Sequence, residues 1–332
     1  MRRRPLLVAT AAGLAAPGVL RAQGGSTQSG SNQSGWPNRP VRIVVPYPPG
    51  GSNDVVARLL QPKLGEALGQ PVIVENRGGA SGSVGGGEVA RAAPDGNTWL
   101  LANDTLATND TLMSLPYRAT EAFSPCTVVG TCPYALLAHP STPYRTLADA
   151  VSAAKAAPET LNYATTGNGS LAHISTVLLQ QRGEFRLVHV PYRGGGPALQ
   201  DALAGHVPLF MSNIVIVIPH VRGGALRALG VSAASPSPYL PGVAPFAQLG
   251  FPGFEALTYW MLLGPAGVPD EIVARMHRTV AAVANDPAVR PKLEEQGVTL
   301  TTTPPAAAAA FLRREVENWG RVIRDNAIRA DG

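Results

Sequence analysis

Three times along the chain a short β-rich run gives way to a glycine-rich loop and then to a helix start. That repeated unit constrains the fold more than any other feature. The first instance is VRIVVPYPPGGSNDVVAR, Val41 to Arg58. Val41 to Tyr47 is strand-like, Pro48-Pro49-Gly50-Gly51 breaks it, and Ser52 and Asn53, both good N-caps, open a helix expected near Asp54. The second is NYATTGNGSLA, Asn162 to Ala172, and the third is VPYRGGGP, Val190 to Pro197, whose proline suits a first helical turn. A strand feeding such a loop aims unpaired backbone N–H groups at one small volume, which suits an anion. By itself this reads as a nucleotide loop, a carboxylate site or plain turn chemistry.

Between these units, β-rich runs alternate with helical segments, the pattern of a mainly parallel sheet covered by helices. Further strands are expected at Pro71 to Asn76, Thr98 to Ala102, Thr127 to Ala138, Val207 to Met211, Arg227 to Val231 and Trp260 to Leu263. Helices are expected over Val84 to Ala93, over Asp270 to Ala284 with Ile272, Val273, Met276, Val280 and Val283 on one face, and over Ala306 to Ile328. No repeat of 20–50 residues marks a solenoid.

The start of the chain reads as an export signal. Met1-Arg2-Arg3-Arg4 is basic, Leu6 to Leu20 is mostly apolar, and Ala22 is a small residue where a peptidase cuts. The apolar run is broken by Pro and Gly and falls short of a membrane span. Arg3-Arg4 leaves both the general and the twin-arginine export routes open. Residues 23–35, QGGSTQSGSNQSG, form a polar leader. Four of the 27 basic residues (Arg2, Arg3, Arg4 and Arg21) go with the signal, leaving 23 against 22 acidic ones, a net charge of +1. Nucleic-acid binding, which needs a clustered basic face, is not expected.

The search for chemistry comes out negative. No nucleophile elbow or Walker loop is present, and no Cys/His spacing fits zinc, so neither metal nor cofactor is expected. Gly167-x-Gly169-x-x-Ala172 mimics a dinucleotide fingerprint, but the strand before it is short and polar, and the expected acidic residue is missing. Cys126 and Cys132 are six residues apart, about 20 Å along one strand, so pairing needs a tight reversal near Gly130. Two separate buried thiols are the simpler reading. His173 reads as a satisfied helix histidine and Asp201 as structural. Arg193 reads as a solvated loop residue. Thr165, Thr166, Asn168 and Ser170 offer hydroxyls and an amide around a helix start, which recognises a carboxylate or merely caps the helix.

PYPPGGSNDVVARLL (Pro46 to Leu60), GQPVIVENRGGASGSVG (Gly69 to Gly85) and ARAAPDGNTWLLA (Ala90 to Ala102) carry a resemblance, as do LNYATTGNGSLAH (Leu161 to His173), VHVPYRGGGPALQDALAGHVPLFMSN (Val188 to Asn213) and Leu226 to Glu255. In matching order from Trp36 onward, the chain resembles the Bug-type solute receptors of tripartite tricarboxylate transporters. The resemblance implies an α/β fold, a two-domain periplasmic-binding-protein (type II-like) clamshell with a ligand cleft between the domains. Domain 1 is then 36–134 plus 258–332, domain 2 is 135–257, and the chain crosses near Tyr134 and Leu257.

It further implies a periplasmic receptor that captures a small organic carboxylate (dicarboxylate, tricarboxylate, amino acid or aromatic acid) for membrane permease subunits. The simplest such receptor is a monomer. A receptor serving a signalling partner, or a small-molecule enzyme on the same fold, are the other readings. Carried over residue by residue, the ligand contacts are Tyr47, Pro49, Ser52, Asn53 and Asp54 on one side and Thr165, Thr166, Gly167, Asn168 and Gly169 on the other, with Thr105 and Ser212. Two departures from the family stand out. Ser212-Asn213 replaces a common Asp-Asn pair, and Asn103-Asp104 stands where small residues are usual. Asp54 repels a carboxylate if it points inward, so the alternatives are that it caps the helix or accepts a bond from a ligand amine or hydroxyl.

Overall fold

The computed structural model describes residues 35–329; the expected signal peptide and all of the leader but Gly35 lie outside the described residues. In chain order the first elements are β1 (Val41–Val45), α1 (Ser52–Leu68), β2 (Val72–Asn76), α2 (Ser83–Ala90), β3 (Thr98–Ala102), α3 (Thr105–Leu112) and β4 (Phe123–Ala138). Next come α4 (Leu147–Ala156), β5 (Asn162–Thr165), α5 (Leu171–Gly183), β6 (Val188–Pro191), α6 (Gly195–Leu203), β7 (Leu209–Asn213), α7 (Ile218–Arg222) and β8 (Arg227–Val231). The last are β9 (Leu257–Pro265), α8 (Asp270–Ala284), α9 (Arg290–Glu295), β10 (Thr299–Leu300) and α10 (Pro305–Asp325).

The strands form two sheets that share β4. In the first, β1 lies parallel between β2 and β3, and β9 lies antiparallel between β3 and the amino-terminal part of β4. In the second, β5 lies parallel between β6 and β7, and the carboxy-terminal part of β4 pairs antiparallel with both β7 and β8. The handover is abrupt. Pro133 is still paired with Leu257 of β9, whereas Tyr134 is paired with Asn213 of β7. The arrangement is thus mixed, where alternation in the sequence predicts a mainly parallel sheet. The parallel ladders belong to the strand–helix–strand units, and the antiparallel ones belong to the long strands that run between the sheets.

Burial follows the pattern expected for each layer. In β1, Val41, Ile43, Val44 and Val45 are all buried, as a strand covered on both faces demands. The expected apolar face of α8 (Ile272, Val273, Met276, Val280, Val283) is buried as well. One apolar cluster, around Trp99, Trp260 and Met276, continues into the second sheet at Leu137, Ala164 and Phe210, and another, around Tyr163, Leu171 and Phe246, takes in Ile323 of α10. Cys126 and Cys132 are both buried free thiols. Burial pushes both thiols up, which makes them unreactive. Among the described residues, no helix is long and apolar enough to cross a membrane.

Candidate functional site

Parallel strands leave a crevice beyond their carboxyl ends, and here the crevices of the two sheets face each other. A narrow cleft opens there. The first lobe lines it with Tyr47, Gly51, Ser52 and Asn53 from the turn after β1, and with Asn103 after β3. The second lobe lines it with Thr166 after β5, Gly195 after β6, and Asn213 and Ile216 at the end of β7. None of these side chains carries a formal charge.

The helix starts explain the chemistry. α1 has Gly51 as its N-cap with no side-chain cap, and the first N–H to reach a helix acceptor is that of Val55, on Gly51 O. Ser52 and Asn53 are therefore the first helical residues and not the caps expected from sequence. Their N–H groups stay open at the cleft, with the positive end of the helix dipole behind them. α6 likewise starts at Gly195 behind Gly194, again without a side-chain cap. Gly196 is required there by close approach, because a Cβ on it would stand 2.8 Å from Pro49 O of the opposite lobe.

Side chains add donors. Asn103 Oδ1 accepts from the Tyr47 hydroxyl (2.9 Å) and from Thr105 N (3.3 Å). Because a backbone N–H can only donate, the Asn103 oxygen is committed and its Nδ2 is left as a donor at the cleft wall. Ser52 Oγ accepts from Asn213 Nδ2 (2.9 Å), which leaves the serine hydrogen free to donate. Asn53 is held by its Nδ2 donating to Leu101 O (2.8 Å). Two dipole ends and several neutral donors converge with no cation, an arrangement that holds one small anion.

Of the residues expected from sequence, Tyr47, Ser52, Asn53 and Thr166 line the cleft. The others sit around it. Asp54 is turned back: its carboxylate accepts from Gly50 N (3.0 Å), Arg58 Nε (2.9 Å) and Asn76 Nδ2 (3.0 Å). Burial alone would raise this carboxyl, but Arg58, Gly50 and Asn76 outweigh it and hold the group below its usual range. It therefore presents no open charge to the cleft, and its backbone bond is to Gly50 N ahead of α1, not to an N–H of the helix. Pro49 is exposed at the rim.

The loop after β5 is bonded inward and across to the first lobe. Thr165 Oγ1 pairs with His189 Nε2 (2.7 Å), Ser170 Oγ caps α5 by accepting from His173 N, and Gly167 O accepts from Ser170 Oγ (2.7 Å). Asn168 O accepts from Ser81 Oγ (2.8 Å) and Gly169 O from Thr108 Oγ1 (2.6 Å). These two bonds and the Ser52–Asn213 pair tie the lobes together, so the structure is the closed form. Thr105 is buried at the start of α3 with its hydroxyl toward Asp104. Ser212 is fully buried, and its neighbour Asn213 lines the cleft, since successive strand side chains point to opposite faces.

Gly51, Asn103, Gly195, Asn213 and Ile216 also line the cleft without having been singled out as contacts. The signal for Gly195 was present in Gly194-Gly195-Gly196-Pro197, a glycine-rich helix start like that of α1. Asn103 and Asn213 stand within the two departures from the family pattern, and only the pairing of their strands brings them to the cleft.

The description "Tripartite tricarboxylate transporter family receptor" matches residues 56–328. The chain belongs to this family. Protein BugT of Bordetella pertussis is 35% identical over 297 residues, covering 89% of this chain and 91% of BugT. MatC from Rhodopseudomonas palustris, solved with bound malate, is 32% identical with a TM-score of 0.82, covering 87% of this chain and 100% of MatC. Another R. palustris protein, solved with adipate, is 31% identical with a TM-score of 0.85, covering 89% of this chain and 99% of its own. The family fold is a two-domain α/β clamshell of the periplasmic-binding-protein type, and the two sheets sharing β4 are its two lobes.

Proposed function

We propose that this family member is a periplasmic receptor that closes on one small organic carboxylate and passes it to membrane permease subunits. The observation that carries the reading is the pair of uncapped helix starts, α1 and α6, meeting across a cleft that lacks a cationic side chain. Each helix end contributes about 0.3–1 kcal/mol toward an anion, and each hydrogen bond to a charged group about 1.5–3 kcal/mol. A handful of such contacts reaches the ~8 kcal/mol of a micromolar complex. The contacts are Tyr47, Ser52, Asn53 and Thr166, joined by Gly51, Asn103, Gly195 and Asn213. Relatives solved with malate and adipate support a small acid as the occupant.

The lobes comprise 36–134 with 258–332 and 135–257, and β4 and β9 are the crossings between them. Removal of residues 1–22 on export leaves a nearly neutral monomer. The testing experiment is calorimetric titration of the mature protein with malate, adipate, an amino acid and benzoate. One acid binding at one site per chain, with the melting temperature rising with log concentration, is the expected result. Indifference to every anion in the panel would sink the reading.

A further inference from the structure

Asp104 follows β3 and is fully buried, and the groups that donate to it are neutral. Tyr134 OH reaches Oδ2 (2.8 Å), and the Thr258 hydroxyl donates to the same oxygen. On the other oxygen, Thr105 Oγ1 and Leu171 N donate, each at 3.4 Å. The placement of these partners is the informative part. Tyr134 is the residue at which β4 leaves the first sheet for the second. Thr258 stands opposite Cys132 at the start of β9, the returning strand. Leu171 opens α5, on the far side of the cleft. One carboxylate thus spans both crossing strands and the opposite lobe. Its neighbour on α3, Thr108, bonds to Gly169 O in the same far loop.

We propose that Asp104 is a closure latch, a positioning residue anchored on the two crossing strands whose second oxygen, which also accepts from Thr105, takes the start of α5 when the lobes shut. The sequence leaves that helix start open to an external carboxylate or to plain capping; in the structure one of the protein's own carboxylates meets it. This has two consequences. Closing gains a hydrogen bond from the Leu171 N–H that the open form lacks, and the captured acid is left to α1 and α6. Burial pushes the Asp104 carboxyl up and outweighs the Thr258 and Tyr134 hydroxyls and the Leu171 N–H, which oppose it. The inference rests on the receptor reading for its purpose, but the latch itself is measurable without any ligand.

The test uses energy transfer between dyes on Glu66→Cys in α1 and Lys155→Cys in α4, both exposed, with the native thiols buried. In ligand-free protein, Asp104→Asn is compared with Thr258→Val. The carboxamide oxygen still accepts from Tyr134 and Thr258, but its amide then faces the Leu171 N–H, donor to donor. Asp104→Asn is expected to lower the closed-to-open ratio by about tenfold, the scale of one lost hydrogen bond. Thr258→Val, which removes one anchor and keeps the Leu171 bond, is expected to lower the melting temperature and leave the distance distribution unchanged. An Asp104→Asn protein as closed as the parent, or equal opening in both variants, overturns the proposal. If Asp104→Asn does not fold, amide exchange in the parent answers the same question. Leu171 N–H must exchange about tenfold more slowly than the open amides of Ser52 and Asn53, and equal rates overturn the latch.

Discussion

At the scale of single residues, the cleft depends on hydroxyls, amides and the absence of side chains. Ser52 is the clearest hydroxyl: its Oγ accepts from Asn213, so its hydrogen is left for an occupant. Ser52→Ala removes that donor and strands the Asn213 amide. Calorimetry should show a loss of about tenfold in affinity for whichever acid binds, the worth of one hydrogen bond to a charged group. Gly196 tests the absence. A methyl at that position meets Pro49 O at 2.8 Å and the Gly50 backbone at 3.6 Å, so Gly196→Ala holds the two loops apart. Since the clash exists only when the lobes meet, affinity should fall at least tenfold while the melting temperature of the ligand-free protein stays within about 2 °C. A large loss of melting temperature with unchanged affinity would contradict the closed geometry.

At the scale of elements, two helix starts and one stack of rings matter. α1 begins without a side-chain cap, and a Cβ on Gly51 has its nearest neighbours at 3.8 Å, so there is room for one. Gly51→Asp should stabilise the helix by a few tenths of a kcal/mol and place a carboxylate on the amides that we assign to the ligand. The expected result is a slightly higher melting temperature together with loss of acid binding. α5 is supported from beneath by His173 and His189, whose rings are stacked 4.1 Å apart and nearly parallel, with Tyr163 on the outer face of His189. Burial, and secondarily the neighbouring His173, pull the His189 imidazole down to about 3. Because its folded pKa lies below the unfolded value, the unfolded chain takes up the proton first. The contribution is intact above about pH 6.5 and is lost at up to about 1.4 kcal/mol per pH unit as pH falls toward 3. Urea melts at pH 7, 5.5 and 4 should show that slope, and His189→Gln should flatten it. A parent protein equally stable at pH 7 and pH 4 would rule the assignment out.

At the scale of the whole molecule, β4 and β9 connect the two sheets, and α10 with the residues that follow it also meets the second lobe through Ile323, Ile328 and the Gln181–Asn326 bond. β4 changes partners between Pro133 and Tyr134, and β9 begins at Leu257, so both crossings lie side by side. Two adjacent crossings allow rotation about one axis and resist shear, the geometry of hinge closure. The bonds from Ser81, Thr108, Leu171 and Asn213 across the cleft are among those broken on opening. X-ray scattering should therefore show a larger radius of gyration without ligand than with a saturating acid. Identical profiles in the two states would mean that the acid does not act by closing the lobes.

Much of this was legible in the residues. Strands β3, β5 and β8 and helix α8 stand where alternation and helical periodicity place them, because each buries a face whose period the sequence carries locally. The strand–glycine loop–helix unit pointed to an anion for the same reason, since backbone donors at a helix start need no distant partner. What depends on contact between remote segments was not legible. Asp104 and Leu171 meet across the cleft, Asn213 lines it only because of how β7 pairs, and Gly195 faces α1 only because the sheets share β4. The sequence determined which segments can receive an anion. Tertiary structure decided which of them remain open to one, because a helix start is available only when no other part of the chain has been folded onto it.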